Sequence, residues 1–172
     1  IDWGFTSTAK NVQIIRFSDV LLMSAEVEAE LGNLGPATTL VNRVRARAAN
    51  PAGFVVLADG VTPAANYVVG QYPAFANQAD ALKAIRFERK IELGMEGHRF
   101  FDLVRWDMNS SRSALPFDMQ AYMADYYAVE STKRSGLSAA SFDARDYWAP
   151  IPTNVITQST VNGTENITQN PG

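Results

Sequence analysis

Residues 14–49 read IIRFSDVLLMSAEVEAELGNLGPATTLVNRVRARAA, and this stretch decides the fold. Apolar residues recur in its first half at three- and four-residue steps, the period of an amphipathic helix: Ile14, Phe17, Leu21, Ala25 and Ala29. A second stripe follows at the same steps: Ala37, Leu40, Val41, Val44 and Ala48. Between the stripes, Gly32 supplies the left-handed residue that ends many helices, and Pro36 can take the first position of the next one. Because the connection is short, the two helices must pack antiparallel, and the sequence predicts a helical hairpin.

Further helices are predicted downstream of the hairpin. One begins near residues 78–80 and presents an apolar stripe made of Ala84, Phe87, Ile91 and Met95, widened by Leu82 and Ile85. Gly97 interrupts it, a short helical piece follows at 98–106, and another helix is predicted at 117–131. Residues 50–76 form a long connection with one short strand predicted at 54–57. The predicted fold class is therefore mainly α: a tetratricopeptide-like helical hairpin plus further helices and long irregular loops.

The composition excludes several classes of function. The chain has 172 residues, of which 47% are apolar, so a single domain with a sizeable core is the default. A net charge of -3 gives no electrostatic footprint for nucleic acid. The absence of cysteine excludes disulfides, thiolate metal sites and cysteine nucleophiles. No run approaches the ~20 apolar residues of a transmembrane helix. No signal-peptide pattern opens the chain, and since it begins with Ile1 we expect a processed chain or a piece of a larger one.

Residues 86–106 form the densest group of charged side chains. Glu88, Glu92 and Glu96 follow one another at four-residue steps, which stacks like charges on one helix face, and each such pair costs about 0.2–0.5 kcal/mol. Cations must therefore lie nearby, and the arginines of the hairpin are the expected partners. We interpret the segment as a structural ion-pair cluster with five central members: Arg89, Glu92, Glu96, Arg99 and Asp102.

Three catalytic or metal-binding readings of this segment compete with the structural one. Glu92, Glu96 and His98 could hold a metal, but the two-residue step to the histidine places ligands on different helix faces. Glu88 and Glu92 could hydrolyse glycosides, but neighbouring arginines would keep both ionised and leave no general acid. His98 could act as a base, although perturbed groups also occur in plain ion-pair networks. We expect no catalytic residue, no metal and no cofactor.

Exposed aromatic side chains give the one generic signal for ligand binding in this sequence. Sugar rings stack their apolar faces on tyrosine or tryptophan, and loops are where such residues are displayed. Tyr67 and Tyr72 in the long connection and Trp3 near the start of the chain fit that description. They are the predicted ligand-binding candidates, against the alternative that they anchor their loops to the core.

Four stretches, taken in order, are similar to the SusD/RagB family of surface nutrient-binding lipoproteins. IRFSDVLLMSAE at 15–26 resembles the entry to the C-terminal portion of that family, and LVNRVRARA at 40–48 resembles its following helix. RKIELGMEGHRFFDLVRW at 89–106 is similar to the most recognisable motif of the family. YWAPIP at 147–152 with QNPG at 169–172 resembles its closing segment. Four matches in the order of the family are much more specific than any one of them.

The resemblance implies a function that the residues alone do not. It implies that residues 1–172 are the C-terminal domain of a longer protein, with the lipid-bearing N-terminus absent from this chain. It implies a non-enzymatic lipoprotein on the cell surface, attached to the outer membrane, that covers a SusC-like TonB-dependent transporter. The implied ligand is an oligosaccharide or another nutrient, as in polysaccharide utilisation. In that family the motif at 89–106 is structural, in agreement with the ion-pair interpretation.

A second class of function stays open at this point. The hairpin at 14–49 is also compatible with a helical-repeat module that binds a protein and no small ligand. Retention on a polysaccharide would favour the first function, whereas capture of a protein alone would favour the second.

Overall fold

The computed structural model describes residues 14–170 and is mainly helical, as predicted. Its α-helices are α1 (Phe17–Glu30), α2 (Leu34–Ala48), α3 (Gln78–Glu92), α4 (His98–Met108), α5 (Met119–Glu130) and α6 (Thr153–Gln158). Short 3₁₀ turns lie at Pro51–Gly53, Ser110–Arg112, Ser135–Leu137 and Ala144–Tyr147, and β1 (Thr160–Val161) pairs antiparallel with β2 (Thr164–Glu165). None of the helices in this part of the chain combines the length and the hydropathy needed to cross a bilayer.

The described residues form two compact units. The first contains residues up to 99 together with 113–115, and the second contains 100–112 and the residues from 116 onward. The first unit thus holds α1, α2, α3 and the long connection after α2, while the second holds α4, α5, α6 and the small hairpin.

The predicted helical hairpin is confirmed in α1 and α2. Gly32 has φ +83°, and after it the backbone N–H of Asn33 donates to the carbonyl of Glu28 at 2.8 Å, which satisfies one of the last free carbonyls of α1. Pro36 is the third residue of α2 rather than the first, because the helix already begins at Leu34. A proline is tolerated there, since the first four N–H groups of a helix have no partner inside it.

The core of the first unit lies between α1, α2 and α3. Its buried side chains are aliphatic: Leu21, Leu22, Ala25, Ala29, Ala37, Val41, Val44, Ala81, Leu82 and Ile85. Burying each of the larger ones contributes roughly 1.5–3 kcal/mol. Two members of the predicted α1 stripe lie outside this core, because Ile14 precedes the helix and Phe17 is 64% exposed.

The predicted apolar stripe of α3 is confirmed for Leu82 and Ile85, which are buried in the core, and is wrong for its later members. Phe87 and Ile91 are more than half exposed, and Met95 lies beyond the end of the helix in a turn with φ +67°. The face turned toward the hairpin instead buries three charged side chains: Arg86, Glu88 and Arg89. Periodicity of apolar residues could not find this face, because its polar members are stabilised by partners on other helices.

Residues 54–57 do not form the predicted strand. Val56 forms one isolated antiparallel bridge with Pro63, flanked by a hydrogen bond from the Leu57 N–H to the Thr62 carbonyl at 2.7 Å. A second hydrogen bond runs from the Ala64 N–H to the Val55 carbonyl at 2.8 Å. The pairing stops there because the Val55 N–H donates to the Tyr67 hydroxyl instead of to the facing strand. The connection is therefore a tight turn around Gly60 rather than a sheet.

The second unit has a smaller core around α4 and α5. Leu103, Trp106 and Met119 are buried, and the partly buried Phe117, Tyr122 and Tyr147 are among the side chains that pack on them. The helix predicted at 117–131 is confirmed as α5, whose N-cap Asp118 accepts a hydrogen bond from the Ala121 N–H at 2.9 Å. The short helix predicted at 98–106 is confirmed as α4.

Candidate functional site

An amide clamp attaches the long connection to α2. The side-chain amide of Asn42 donates to the Tyr72 carbonyl at 2.9 Å, and its oxygen accepts the Tyr72 N–H at 2.8 Å. The two bonds reproduce the pairing that a neighbouring strand would offer, so both backbone groups of Tyr72 are satisfied by one side chain. This clamp fixes the chain around Tyr72 beside the exposed side of α2.

Arg45 strengthens the same attachment one helical turn further on. Its guanidinium carbon lies 4.5 Å from the centroid of the Tyr72 ring, and its Nε donates to the Gly70 carbonyl. Its Nη1 is 2.6 Å from an oxygen of Glu88, to which the Tyr72 hydroxyl also donates at 3.4 Å. Partial burial, followed by the charge of Glu88, raises the pKa of Tyr72. Tyr72 therefore has its ring, its hydroxyl and its backbone all engaged within the protein.

A cleft of about 540 Å³ opens where the clamped segment meets α2, and we call it the α2 cleft. Its lining residues are Leu34, Gly35, Thr38, Thr39, Asn42, Arg43, Ala46, Gln71, Ala74 and Phe75. The hydroxyls of Thr38 and Thr39 donate back to carbonyls of α2, which leaves their oxygens as acceptors. The Gln71 amide makes no hydrogen bond to any described residue and is exposed. The cleft thus combines a polar helix face with one partly buried aromatic ring, that of Phe75.

The predicted aromatic candidates differ in their contacts and in their position relative to the α2 cleft. The Tyr67 ring stacks on Phe54 with 4.1 Å between centroids, and its hydroxyl oxygen accepts the Val55 N–H at 3.2 Å. Tyr72 lies beside the α2 cleft but contributes no lining atom, and Tyr67 is not among the lining residues either. Trp3 lies outside the residues that the structure describes. The structure brings Tyr72, and not Tyr67, next to the cleft.

The acidic residues of α3 and the following turn are paired with arginines of the hairpin, as the like-charge argument predicts. Glu88 pairs with Arg45, and Glu92 is 2.6 Å from both Arg16 and Arg47. Arg16 also reaches Glu96 at 2.8 Å. Its hydrogen bonds and charge hold the pKa of Glu96 below the ordinary range, and these two carboxylates in turn raise the pKa of Arg16.

The remaining members of the predicted ion-pair cluster are Arg89, Arg99 and Asp102. Arg89 pairs with Asp19 of α1 at 2.8 Å, and both side chains are at least 95% buried. Asp102 pairs with Arg105 at 2.9 Å within α4, in the second unit. Arg99 is half-buried near the start of α4.

Glu88 and Glu92 are both paired with arginines. Each of the two carboxylates lies 2.6 Å from at least one guanidinium nitrogen. Within residues 14–170 no group of three histidine, aspartate or glutamate side chains is close enough to hold a metal ion.

Comparison with models of known protein families identifies the family of this chain. The sequence model of the SusD family matches residues 1–172, which is the whole chain. The chain belongs to the SusD family. No curated protein and no solved structure matches it. SusD-family proteins are nutrient-binding components of the outer membrane and are binding proteins rather than known enzymes. The resemblance read from the sequence is confirmed.

In this SusD-family chain, sequence reasoning missed most residues of the α2 cleft. Asn42 lies outside the predicted apolar stripe of its helix, and Gln71 and Phe75 are not among the predicted ligand-binding candidates. No periodic signal marks them, because the cleft exists only once the Asn42 clamp has folded the connection back onto α2. The one available hint was the placement of Asn42 and Thr38 on a helix face next to a long loop.

Proposed function

We propose that this SusD-family chain captures oligosaccharides at the outer-membrane surface and delivers them to a SusC-like TonB-dependent transporter. The observation that carries the proposal is the family match over residues 1–172. The family supplies nutrient binding and the outer membrane; the glycan, the lipid anchor and the transporter are the finer parts of the proposal. The structural role of Arg89, Glu92, Glu96, Arg99 and Asp102 is part of it too.

The α2 cleft is the proposed place of capture. Its volume of about 540 Å³ lies within the range of ligand pockets. Hydroxyl groups of a sugar need acceptors and donors, which Thr38, Thr39 and Gln71 supply, and the apolar face of a sugar ring needs an aromatic partner, which Phe75 supplies. The Asn42 clamp and the Arg45–Glu88 pair hold these groups in place before the ligand arrives, which lowers the entropy lost on binding.

Tyr72 and Tyr67 keep a place in this proposal beside the cleft. Tyr72 adjoins the lining residue Gln71, so a ligand that extends from the α2 cleft along the connection would pass beside it. Tyr67 stacks on Phe54 and is the second aromatic candidate for contact with a sugar ring.

Binding to a panel of neutral polysaccharides, measured by affinity electrophoresis, tests the proposal. We expect retention on at least one polysaccharide and loss of most of it in the variants Gln71→Ala and Phe75→Ala. The matched control is Phe101→Ala, since Phe101 is 71% exposed and lies outside the α2 cleft. Because Phe75 also packs on the core, its variant is first checked by thermal melting, whereas Gln71 makes no bond that folding depends on.

A different result would favour the interaction module. If the protein captured a transporter from outer membranes but bound no polysaccharide, the helical hairpin would be a protein-binding surface and the glycan part of the proposal would be wrong. If both substitutions in the α2 cleft left binding intact while Tyr67→Ala abolished it, the place of capture would move to the Phe54–Tyr67 stack.

A further inference from the structure

A second cleft lies on the other side of Arg43, between α1 and α2, and we call it the α1–α2 cleft. Its volume is about 330 Å³, and its lining residues are Arg16, Phe17, Ser18, Leu21, Arg43, Val44 and Arg47. Arg43 is the residue that lines both clefts. Neither lining contains an aspartate or a glutamate, although the chain as a whole carries a net charge of -3. The local surface around Arg43 therefore differs in charge from the average of the protein.

Arg43 differs from the other arginines of the hairpin in having no acidic partner among the described residues. Arg16 and Arg47 pair with Glu92, and Arg45 pairs with Glu88. The guanidinium carbon of Arg43 instead lies 5.6 Å from the ring centroid of Phe17, whose side chain is 64% exposed. The charge of Arg43 is thus not neutralised by any acidic side chain within residues 14–170.

Stacking on Phe17 prepares the Arg43 guanidinium for an anion. An aromatic ring that covers one face of a guanidinium leaves the N–H groups at its edge free, and it restricts the long side chain before any ligand binds. A carboxylate or a sulfate group accepts two parallel hydrogen bonds from such an edge. Phe17 also offers apolar surface on which a sugar ring attached to that group could rest.

We infer that Arg43 binds the carboxylate or sulfate group of an acidic sugar residue, while neighbouring residues of the same oligosaccharide occupy the α2 cleft. The inference rests on the proposed function and adds the class of substrate: an anionic rather than a purely neutral glycan. Because the net charge of the protein repels a polyanion, the attraction is local to Arg43 and is sensitive to ionic strength.

Three oligosaccharides of equal length separate the possible anions. Isothermal titration calorimetry of the full chain uses an oligogalacturonate, a sulfated galactan oligosaccharide and a neutral galactan oligosaccharide. We expect one of the two acidic probes to bind about tenfold more tightly than the neutral probe, which is the size of effect that a charge-assisted bidentate contact supports. The preferred probe identifies carboxylate or sulfate, and its affinity falls as salt is added, whereas that of the neutral probe does not.

Substitution of Arg43 assigns the effect to this side chain. Arg43→Gln removes the preference, so that the acidic and the neutral probe bind with similar affinity. Arg43→Lys keeps the charge but loses the bidentate geometry, so it gives an intermediate preference. Arg112→Gln is the matched control, because Arg112 is exposed, has no ion pair within residues 14–170 and lines neither cleft. Thermal melting confirms that each variant is folded.

Each remaining outcome overturns a different statement. If a polysaccharide is retained and neither acidic probe binds more tightly than the neutral probe, or if Arg43→Gln leaves the preference intact, the inference about Arg43 is wrong and the proposed glycan capture stands. If no probe binds and none of the neutral polysaccharides is retained, the proposed function is wrong, and the inference falls with it.

Discussion

Glu88 shows what a buried charge requires of its surroundings. The residue is 3% exposed, and its carboxylate lies 2.6 Å from Arg45 Nη1. Glu88→Leu leaves the largely buried Arg45 without its partner, and we expect a loss of about 3 kcal/mol in the free energy of unfolding. Chemical denaturation measures it, with Glu165→Gln as the control, since Glu165 is exposed in β2. A loss as small as that of the control would mean that Arg45 is stabilised by Tyr72 and water instead.

Glu96 makes stability depend on pH in a predictable direction. The hydrogen bonds from Arg16 lower its pKa in the folded protein, so the pair contributes stability above the unfolded value of 4.5 and loses it as pH falls through the folded value. The side chain is 34% exposed, so the contribution is small, about 0.5 kcal/mol. We expect Glu96→Gln to be less stable than the unchanged protein at pH 7 and equally stable below the folded pKa. A difference that stayed constant with pH in denaturation curves would contradict this.

Sequence reasoning succeeded for these carboxylates and failed for the cleft, for a physical reason. Three glutamates at four-residue steps repel one another, so cations had to be near them, and Arg45 and Arg47 are found there. The Asn42–Tyr72 clamp joins residues 30 positions apart through a neutral amide. Neither charge repulsion within the helix nor the periodicity of apolar residues predicts such a contact.

At the scale of elements, two glycines near the turn between α1 and α2 differ in whether their backbone conformation requires glycine. Gly32 has φ +83°, whereas Gly35 lies in the first turn of α2 and has open space where a Cβ would stand. We expect Gly32→Ala to lower the free energy of unfolding by about 1 kcal/mol. Gly35→Ala should leave it nearly unchanged, because the helix propensity of alanine is offset by crowding between its Cβ and the ring of Pro36. Thermal melting of the two variants side by side measures the contrast. Equal shifts would mean that backbone conformation does not decide the cost.

The sequence predicts where the helices begin and end. It predicts which side of a helix is buried only where the buried side chains are apolar. The starts of α3 and α4 agree with the breaks read at residues 78–80 and at Gly97, because glycine and capping residues act locally. The burial of Arg89 depends on Asp19, 70 residues earlier in the chain, and such a pairing has no signature within α3. Helices that carry ion pairs inward will therefore be misread by periodicity alone.

At the scale of the whole molecule, the two compact units have cores of different size, and this predicts where the chain opens first. The core of the first unit contains buried side chains from α1, α2 and α3, including Leu22, Val41 and Ile85, while that of the second buries Leu103, Trp106 and Met119. Amide hydrogens exchange by local opening, whose free energy rises with the apolar area that opening exposes. We expect mass spectrometry of hydrogen exchange to find amides of α1 and α3 exchanging more slowly than those of α5 and α6. Equal protection throughout would show that the chain opens as one cooperative unit. In that case the residues that line the α2 cleft would unfold only when the whole chain unfolds.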